Sequence, residues 1–144
     1  MEKNTPQVLL GFDFGTKRIG IAVGQTVTQT ARPLGVIQAT AGLPHWDTLD
    51  QFVKAWQPDA LVVGIPLNMD GTEQPITKSA RDFANLLHER FALPVYHIDE
   101  RLSSVDARER IFSQGGYKAL QETQIDSIAA QLILQNWLDQ QREK

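Results

Sequence analysis

The chain has 144 residues, of which 42% are hydrophobic and 22% are charged, with a net charge of −3 and an isoelectric point near 5.5. This size and composition suit a globular protein, and we expect residues 1–144 to form a single domain. The absence of cysteine excludes disulfides and thiolate metal sites. No apolar run approaches the roughly 20 residues that span a bilayer, and the first residues lack the layout of a secretory signal. We therefore expect a cytoplasmic protein without membrane partners.

A net negative charge does not favour a nucleic-acid partner, because phosphate binding favours basic surfaces. The distribution of charge matters more than the sum, however. Eight basic residues lie in or just after the segments that carry the motifs described below. They are Lys17, Arg18, Lys78, Arg81, Arg101, Arg108, Arg110 and Lys118. A locally basic site on an acidic protein is therefore compatible with this sequence, although each charge taken singly is typical of a solvated surface.

The first half of the chain predicts four strands and one helix. The strands are apolar and rich in Val, Ile and Leu. They are expected at 7–13, 18–24, 34–39 and 60–65. The third strand is expected to start after Pro33, and a helical spacing of apolar residues covers 49–56 and stops before Pro58. The continuous apolar run at 60–65 is typical of a strand that is covered on both faces.

The second half predicts further helices and a fifth strand. Pro75 suits the first turn of a helix that continues to about Phe91, and 93–98 is the fifth strand. A short helix is expected to open at Ser103, and a final helix carries apolar residues from 125 to 137. Strand–helix–strand units allow parallel neighbours, so the whole predicts an α/β fold with a mixed sheet. Ligands in such folds bind beyond the carboxyl ends of the parallel strands.

Three acidic residues lie at or near these strand ends and are the candidate catalytic residues. Asp13 ends the first strand, and Glu100 follows the fifth. Asp126 lies in the final helix, where the small Ala129 and Ala130 let that helix approach the sheet. Three carboxylates brought together would repel one another and raise a pKa, whereas Mg²⁺ or Mn²⁺, which takes oxygen ligands, relieves the repulsion. Two such ions can activate water and stabilise the leaving oxygen of a phosphodiester.

Each acid also has an explanation without catalysis, and taken singly that explanation is at least as strong. Asp13 then braces a turn, and Asp126 caps the last helix. Glu100 pairs with Arg101 or Arg108 at the surface. Taken together, three acids at the places where the topology converges favour a metal site.

The turn after the first strand offers groups that bind phosphate. Gly11 and Gly15 leave room for the backbone to approach a phosphate, and Thr16, Lys17 and Arg18 supply a hydroxyl and two cations. A hairpin turn with polar residues explains the glycines but not the clustering of donors.

The loop after the fourth strand is the other candidate binding segment. Asn68 is a candidate group for orienting substrate or ligand, whereas Asp70 before Gly71 is typical turn chemistry. The three histidines lack metal-ligand spacing.

Four segments together resemble, in order and spacing, the motifs of the YqgF (RuvX) family. They are "GFDFGTKRIGIAV", "VVGIPLNMDG", "IDERLSS" and "IDSIAAQLIL", and the resemblance runs from roughly Leu9 to Leu134. It implies a ribonuclease H-like fold related to the RuvC-type junction resolvases, with a five-stranded mixed sheet and helices on both faces. Family members are associated with Holliday junction resolution and with maturation of the 5′ end of 16S ribosomal RNA.

The resemblance also implies roles for individual residues. The family's acidic triad falls on Asp13, Glu100 and Asp126. Three further residues match family motif positions and would contact phosphate or orient the site. They are Arg18, Asn68 and Arg101.

We therefore expect a Mg²⁺- or Mn²⁺-dependent nuclease. Asp13 would contact both ions while Glu100 and Asp126 hold one each, and in-line attack by water would leave a 5′-phosphate and a 3′-hydroxyl. We prefer precursor 16S rRNA, possibly with ribosomal particles, as the substrate, with a monomer or weak homodimer sufficient. The alternatives are a resolvase that cuts branched DNA as a symmetric dimer, a non-catalytic nucleic-acid-binding or regulatory module, and, ranked low, an actin-like phosphate loop that binds a nucleotide.

Overall fold

The computed structural model describes residues 7–100 and 122–142. The predicted short helix at Ser103 and the candidate residue Arg101 lie outside these ranges. Within them, no helix is both long and apolar enough to cross a membrane.

Within the described residues, six strands form one mixed sheet. They are β1 (Val8–Asp13), β2 (Arg18–Gln25), β3 (Thr30–Thr40), β4 (Leu43–Pro44), β5 (Ala60–Ile65) and β6 (Val95–Asp99). Their order across the sheet is β4-β3-β2-β1-β5-β6. The strands β1 to β4 pair antiparallel in sequence order, whereas β5 pairs parallel to β1 and β6 parallel to β5. The carboxyl ends of β1, β5 and β6 therefore share one edge of the sheet.

The predicted α/β fold with a mixed sheet is confirmed, and all five predicted strands are present. The count of five is wrong by one, because β4 adds a two-residue strand that is too short to produce a periodic pattern. The third strand also begins before Pro33 rather than after it. Its pairing with β2 shifts register between Ile21 and Ala22, and Pro33 pairs at that irregularity, where a residue without an N–H is tolerated.

Helices cover both faces of the sheet. Within the described ranges they are α1 (Trp46–Trp56), α2 (Pro75–Phe91) and α3 (Glu122–Arg142). On one face, buried residues of α1 and α2 join the larger apolar core. The ring of Phe83 in α2 lies 5.7 Å from that of Phe12 and 5.3 Å from that of Phe14 between centroids. Burial of such side chains, at about 2 kcal/mol each, anchors α2 beneath the end of β1.

The other face is covered by α3, which packs unusually close to the backbone of β1 and β2. Its buried residues Ala130, Leu134 and Leu138 belong to the second apolar core. A methyl group added at Gly11 would lie 2.7 Å from the Leu134 Cβ, and one at Gly20 would lie 2.0 Å from the Asp126 carbonyl oxygen. We expected small residues to let this helix approach the sheet. Ala130 on the helix and these two glycines on the strands have that role.

The substitution Gly20→Ala tests this close packing. Because the new Cβ would meet helix backbone rather than a mobile side chain, we expect the free energy of unfolding to fall by about 3 kcal/mol, the upper range for overpacking. Urea denaturation measures the change. Gly35→Ala is the matched control, since its Cβ would meet only the Phe52 Cζ, at 3.7 Å. Equal losses in the two variants would contradict the proposed packing.

Candidate active site

Asp13 occupies the carboxyl end of β1, near the centre of the sheet. It pairs in register with Gly20 of β2, on the strand face that α3 covers, since alternate residues share a face. Backbone hydrogen bonds join the turn that follows Asp13 to β3 and to the residues just after β3. The amide of Gly42 donates to the Thr16 carbonyl oxygen at 3.0 Å, and that of Ala39 donates to the Lys17 carbonyl oxygen at 2.9 Å. Asp13 therefore leads into an anchored turn.

Glu100 reaches the same edge of the sheet from β6. It directly follows Asp99, which pairs with Ile65 at the end of β5. A methyl group added at Gly64 would lie 2.9 Å from the Glu100 Cγ, so the absence of a side chain at Gly64 gives the glutamate its path across β5. The Glu100 carboxyl forms a hydrogen bond with that of Asp13. Two of the three predicted catalytic acids are thus in contact.

Asp126 approaches from α3. The helix already begins by Glu122, so Asp126 lies inside it and the alternative role as its N-terminal cap is wrong. Its backbone carbonyl lies over Gly20, beside Asp13. Its Oδ2 accepts a hydrogen bond from the Arg18 Nε at 2.7 Å. The third acid is therefore near the other two but is already paired with a cation.

The three carboxyl groups repel one another electrostatically. Burial, the charges of Glu100 and Asp126 and the hydrogen bond with Glu100 together raise the pKa of Asp13 to about 8, and burial is the largest of these causes. Burial also raises the pKa of Glu100, as does the charge of Asp99, whereas the hydrogen bond with Asp13 opposes that increase. Because the hydrogen bond raises the pKa of Asp13 and opposes the increase at Glu100, the proton between the two carboxyl groups belongs to Asp13, and Glu100 accepts it. The site therefore concentrates the negative charge of three acids, and among the described residues Arg18 pairs with Asp126.

The chemistry of this donor set fits a hard divalent cation, which takes carboxylate oxygens and would replace the shared proton. The arrangement is incomplete in one respect. Among the described residues, no group of three or more His, Cys, Asp or Glu side chains is placed to hold a metal ion. One of the three carboxylates, that of Asp126, is paired with Arg18.

Of the predicted phosphate-binding groups in and around the turn after β1, the structure places Arg18 against one of the acids, Asp126. A methyl group at Gly15 would lie 2.4 Å from the Arg18 carbonyl oxygen, so Gly15 is required for the tightness of the turn. Thr16 and Lys17 are exposed, and Arg18 is half-buried. Gly11, by contrast, lies under Leu134, and the expectation that it gives access to a phosphate is wrong because α3 fills that space.

Asn68 is engaged within its own loop. Its Nδ2 donates to the Thr72 Oγ1 at 2.9 Å, and the Thr72 amide donates to Asp70 Oδ1 at 3.0 Å. The turn-forming interpretation of Asp70 is thereby supported. For Asn68 the structure provides a structural role that the sequence did not predict, and its role toward substrate stays a prediction.

Two glycines that position the site were not singled out from the sequence. Gly20 admits the backbone of Asp126, and Gly64 admits the side chain of Glu100. A usable signal was present, since each is a glycine inside an otherwise apolar strand, and such glycines often mark close approach of another backbone or side chain.

Sequence relatives were identified over most of the chain. The model of the RuvX family, described as Holliday junction resolvase, matches residues 7–140. A relative from Aeromonas hydrophila, with the provisional name pre-16S rRNA nuclease, is 56% identical over 133 residues, which are 92% of this chain and 95% of the relative. A relative of the same provisional name from Escherichia coli O157:H7 is 56% identical over 132 residues, which are 92% of this chain and 96% of the relative.

Solved structures share the fold at low sequence identity. Thermus thermophilus RuvC in complex with a Holliday junction substrate has a TM-score of 0.57 and 17% identity over 92% of this chain and 95% of its own. The yeast mitochondrial Holliday junction resolvase Ydc2 has a TM-score of 0.57 and 12% identity over 94% of this chain and 79% of its own. The predicted RuvC-type, ribonuclease H-like fold is confirmed by these likenesses. By the family match and the two 56% identical relatives, this chain belongs to the RuvX family, as its four motifs predicted.

Proposed function

We propose that this chain is a metal-dependent nuclease that hydrolyses phosphodiester bonds in the maturation of the 5′ end of pre-16S rRNA. The observation that carries the proposal is the hydrogen-bonded pair of Asp13 and Glu100, with the charge of Asp126 close enough to raise the Asp13 pKa. Clustered carboxylates hinder the binding of a phosphate unless a cation lies between them. A module that only bound nucleic acid would gain nothing from this cluster.

Asp13, Glu100 and Asp126 are the residues that would hold Mg²⁺ or Mn²⁺. When bound, such ions activate water and stabilise the leaving oxygen of a phosphodiester. The chain's own contribution is placement. The anchored turn at 14–17 fixes Asp13, and the tight packing of α3 fixes Asp126 beside it.

The substrate phosphate would lie against the turn that follows β1. Thr16 and Lys17 are exposed there, in the turn after Asp13 that Gly15 allows to be tight. Arg18, Asn68 and Arg101 are proposed as further substrate contacts, in line with the family motifs. Cleavage would leave a 5′-phosphate and a 3′-hydroxyl.

RNA is preferred over branched DNA for two reasons. The relatives at 56% identity carry a provisional pre-16S rRNA nuclease name, and a chain with a net charge of −3 does not favour the broad phosphate surface of a four-way junction. A single active site suffices for a single-stranded RNA, so a monomer or weak homodimer in the cytoplasm would serve this function.

Junction resolution is the second candidate. The description of the family names it, and the fold is shared with a RuvC that was solved with a junction substrate. This activity would require two active sites facing opposed strands, and hence a symmetric dimer.

The raised pKa of Asp13 predicts how the stability of the metal-free protein depends on pH. Between about pH 4 and 8 the unfolded chain has lost the Asp13 proton while the folded chain retains it, so stability falls as pH rises and stops falling above the folded pKa. One such group contributes at most about 1.4 kcal/mol per pH unit. In EDTA, Asp13→Asn should therefore gain stability relative to the wild type from pH 5 to 8, as measured by urea denaturation.

Asp50→Asn is the matched control for this measurement. Its exposed carboxyl pairs with Arg90, and its pKa is lowered by the hydrogen bond with that arginine, so Asp50 is ionised in both states across this pH range. Its difference from the wild type should stay constant. A constant difference for Asp13→Asn as well would contradict the buried, shared-proton arrangement. Mn²⁺ should reduce the pH trend of the wild type, because the cation favours the ionised carboxylates.

Asp13→Asn should also lower nuclease activity by at least about 1,000-fold, since several kcal/mol of charge stabilisation depend on the metal. The assay offers labelled single-stranded pre-16S leader RNA and a four-way DNA junction in one reaction with Mn²⁺ or Mg²⁺. Circular dichroism checks that the variant is folded, and Asp50→Asn should cut at the wild-type rate.

The products distinguish the candidate functions. Asp13-dependent cutting of the RNA supports rRNA maturation, whereas paired, symmetric cuts in the junction favour the resolvase. Normal cutting by Asp13→Asn would show that the proposed site is wrong.

A further inference from the structure

The ion pair between Arg18 and Asp126 joins two predicted functional residues that the sequence analysis assigned to different tasks. The Arg18 Nε lies 2.7 Å from the Asp126 Oδ2, and the side chains are 31% and 24% exposed. The partners are 108 positions apart in the sequence. This pair is more sheltered than the other described ion pairs with printed exposures, whose side chains are at least 40% exposed. It is therefore better protected from screening by solvent.

The pair lies beside the carboxyl cluster. Arg18 and Gly20 share a face of β2, since they are two residues apart, and Gly20 pairs with Asp13 while contacting the Asp126 backbone. The guanidinium thus lies against Asp126, and Arg18 is two residues along β2 from Gly20, the strand partner of Asp13.

The charges in this neighbourhood explain why an arginine is present there. Asp13 and Glu100 reduce their mutual repulsion through a hydrogen bond between them, and Asp126 is neutralised by Arg18. A cation at the cluster would do the same for all three acids. The guanidinium and a metal ion would then compete, because both require the negative charge of Asp126 and repel each other at short distance.

We propose that Arg18 is a displaceable counter-ion, which neutralises Asp126 in the metal-free protein and moves from Asp126 to the substrate phosphate when a divalent cation binds. This inference rests on the proposed function, because it requires a divalent cation bound by Asp13, Glu100 and Asp126. A planar guanidinium suits both partners, since it donates parallel hydrogen bonds to a carboxylate or to a phosphate. Arg18 thereby couples metal binding to nucleic-acid binding.

Titration calorimetry with Mn²⁺ tests the first half of the exchange on the chelator-treated full chain. Arg18→Gln should bind Mn²⁺ at least about fivefold more tightly than the wild type, the lower end of typical coupling between sites. Lys17→Gln removes the same charge from the neighbouring position, whose side chain is exposed, and should change the affinity less than about twofold. Arg18→Lys keeps the charge without the planar donor, and its affinity for Mn²⁺ should lie between those of the wild type and Arg18→Gln. This second variant keeps the test valid if Arg18→Gln does not fold without metal.

The outcomes separate this inference from the proposed function. If the wild type does not bind Mn²⁺, the metal-dependent function fails. If the wild type binds but Arg18→Gln matches Lys17→Gln, or binds more weakly than the wild type, the counter-ion role is overturned while the function stands.

Fluorescence anisotropy with a short single-stranded RNA tests the second half. Ca²⁺ serves as an oxygen-binding cation, with EDTA as the metal-free condition. The affinity lost through Arg18→Gln should be at least about fivefold larger with Ca²⁺ than with EDTA, because only the cation releases the guanidinium. Equal losses in both conditions would overturn the exchange.

Discussion

The packing of α3 directly against the strand backbone is the constraint on which the site depends. Side chains on β1 and β2 would hold the helix several ångströms away, and Gly11 and Gly20 remove that obstacle. Asp126 is consequently brought beside Asp13, across more than 100 residues of sequence. Gly64 does the same for Glu100 on the neighbouring strand. The geometry of the acids is thus set by glycines, whose cost in backbone entropy is offset by burial of Leu134 and Leu138.

Once the three carboxylates are close together, their charge governs the chemistry that the site can perform. A metal-free site relieves the repulsion in two ways, through the proton between Asp13 and Glu100 and through the ion pair of Arg18 with Asp126. Both are compensations that a divalent cation would make unnecessary. The same groups would then be free for catalysis, with the carboxylates ionised and the guanidinium available to phosphate. Metal binding, proton release and arginine release are in this account one coupled event.

The sequence was sufficient to predict the meeting of Asp13 and Glu100, because the carboxyl ends of parallel strands share an edge. It also predicted α3 near the sheet, from small residues next to Asp126. It could not predict the pairing of Arg18 with Asp126, since an ion pair between distant segments depends on tertiary packing alone. Nor could the sequence predict that the Asn68 amide donates to Thr72, since the local geometry of the turn decides which partner is nearest. The strand β4 was too short to leave a pattern.

The most direct test of the account is a crystal structure of the protein with Mn²⁺, analysed by anomalous scattering. We expect a manganese peak coordinated by Asp13, Glu100 and Asp126, with the Arg18 guanidinium moved away from the Asp126 carboxylate. A protein saturated with Mn²⁺ at another place, or a peak at the acids with the ion pair of Arg18 and Asp126 intact at its 2.7 Å separation, would contradict it.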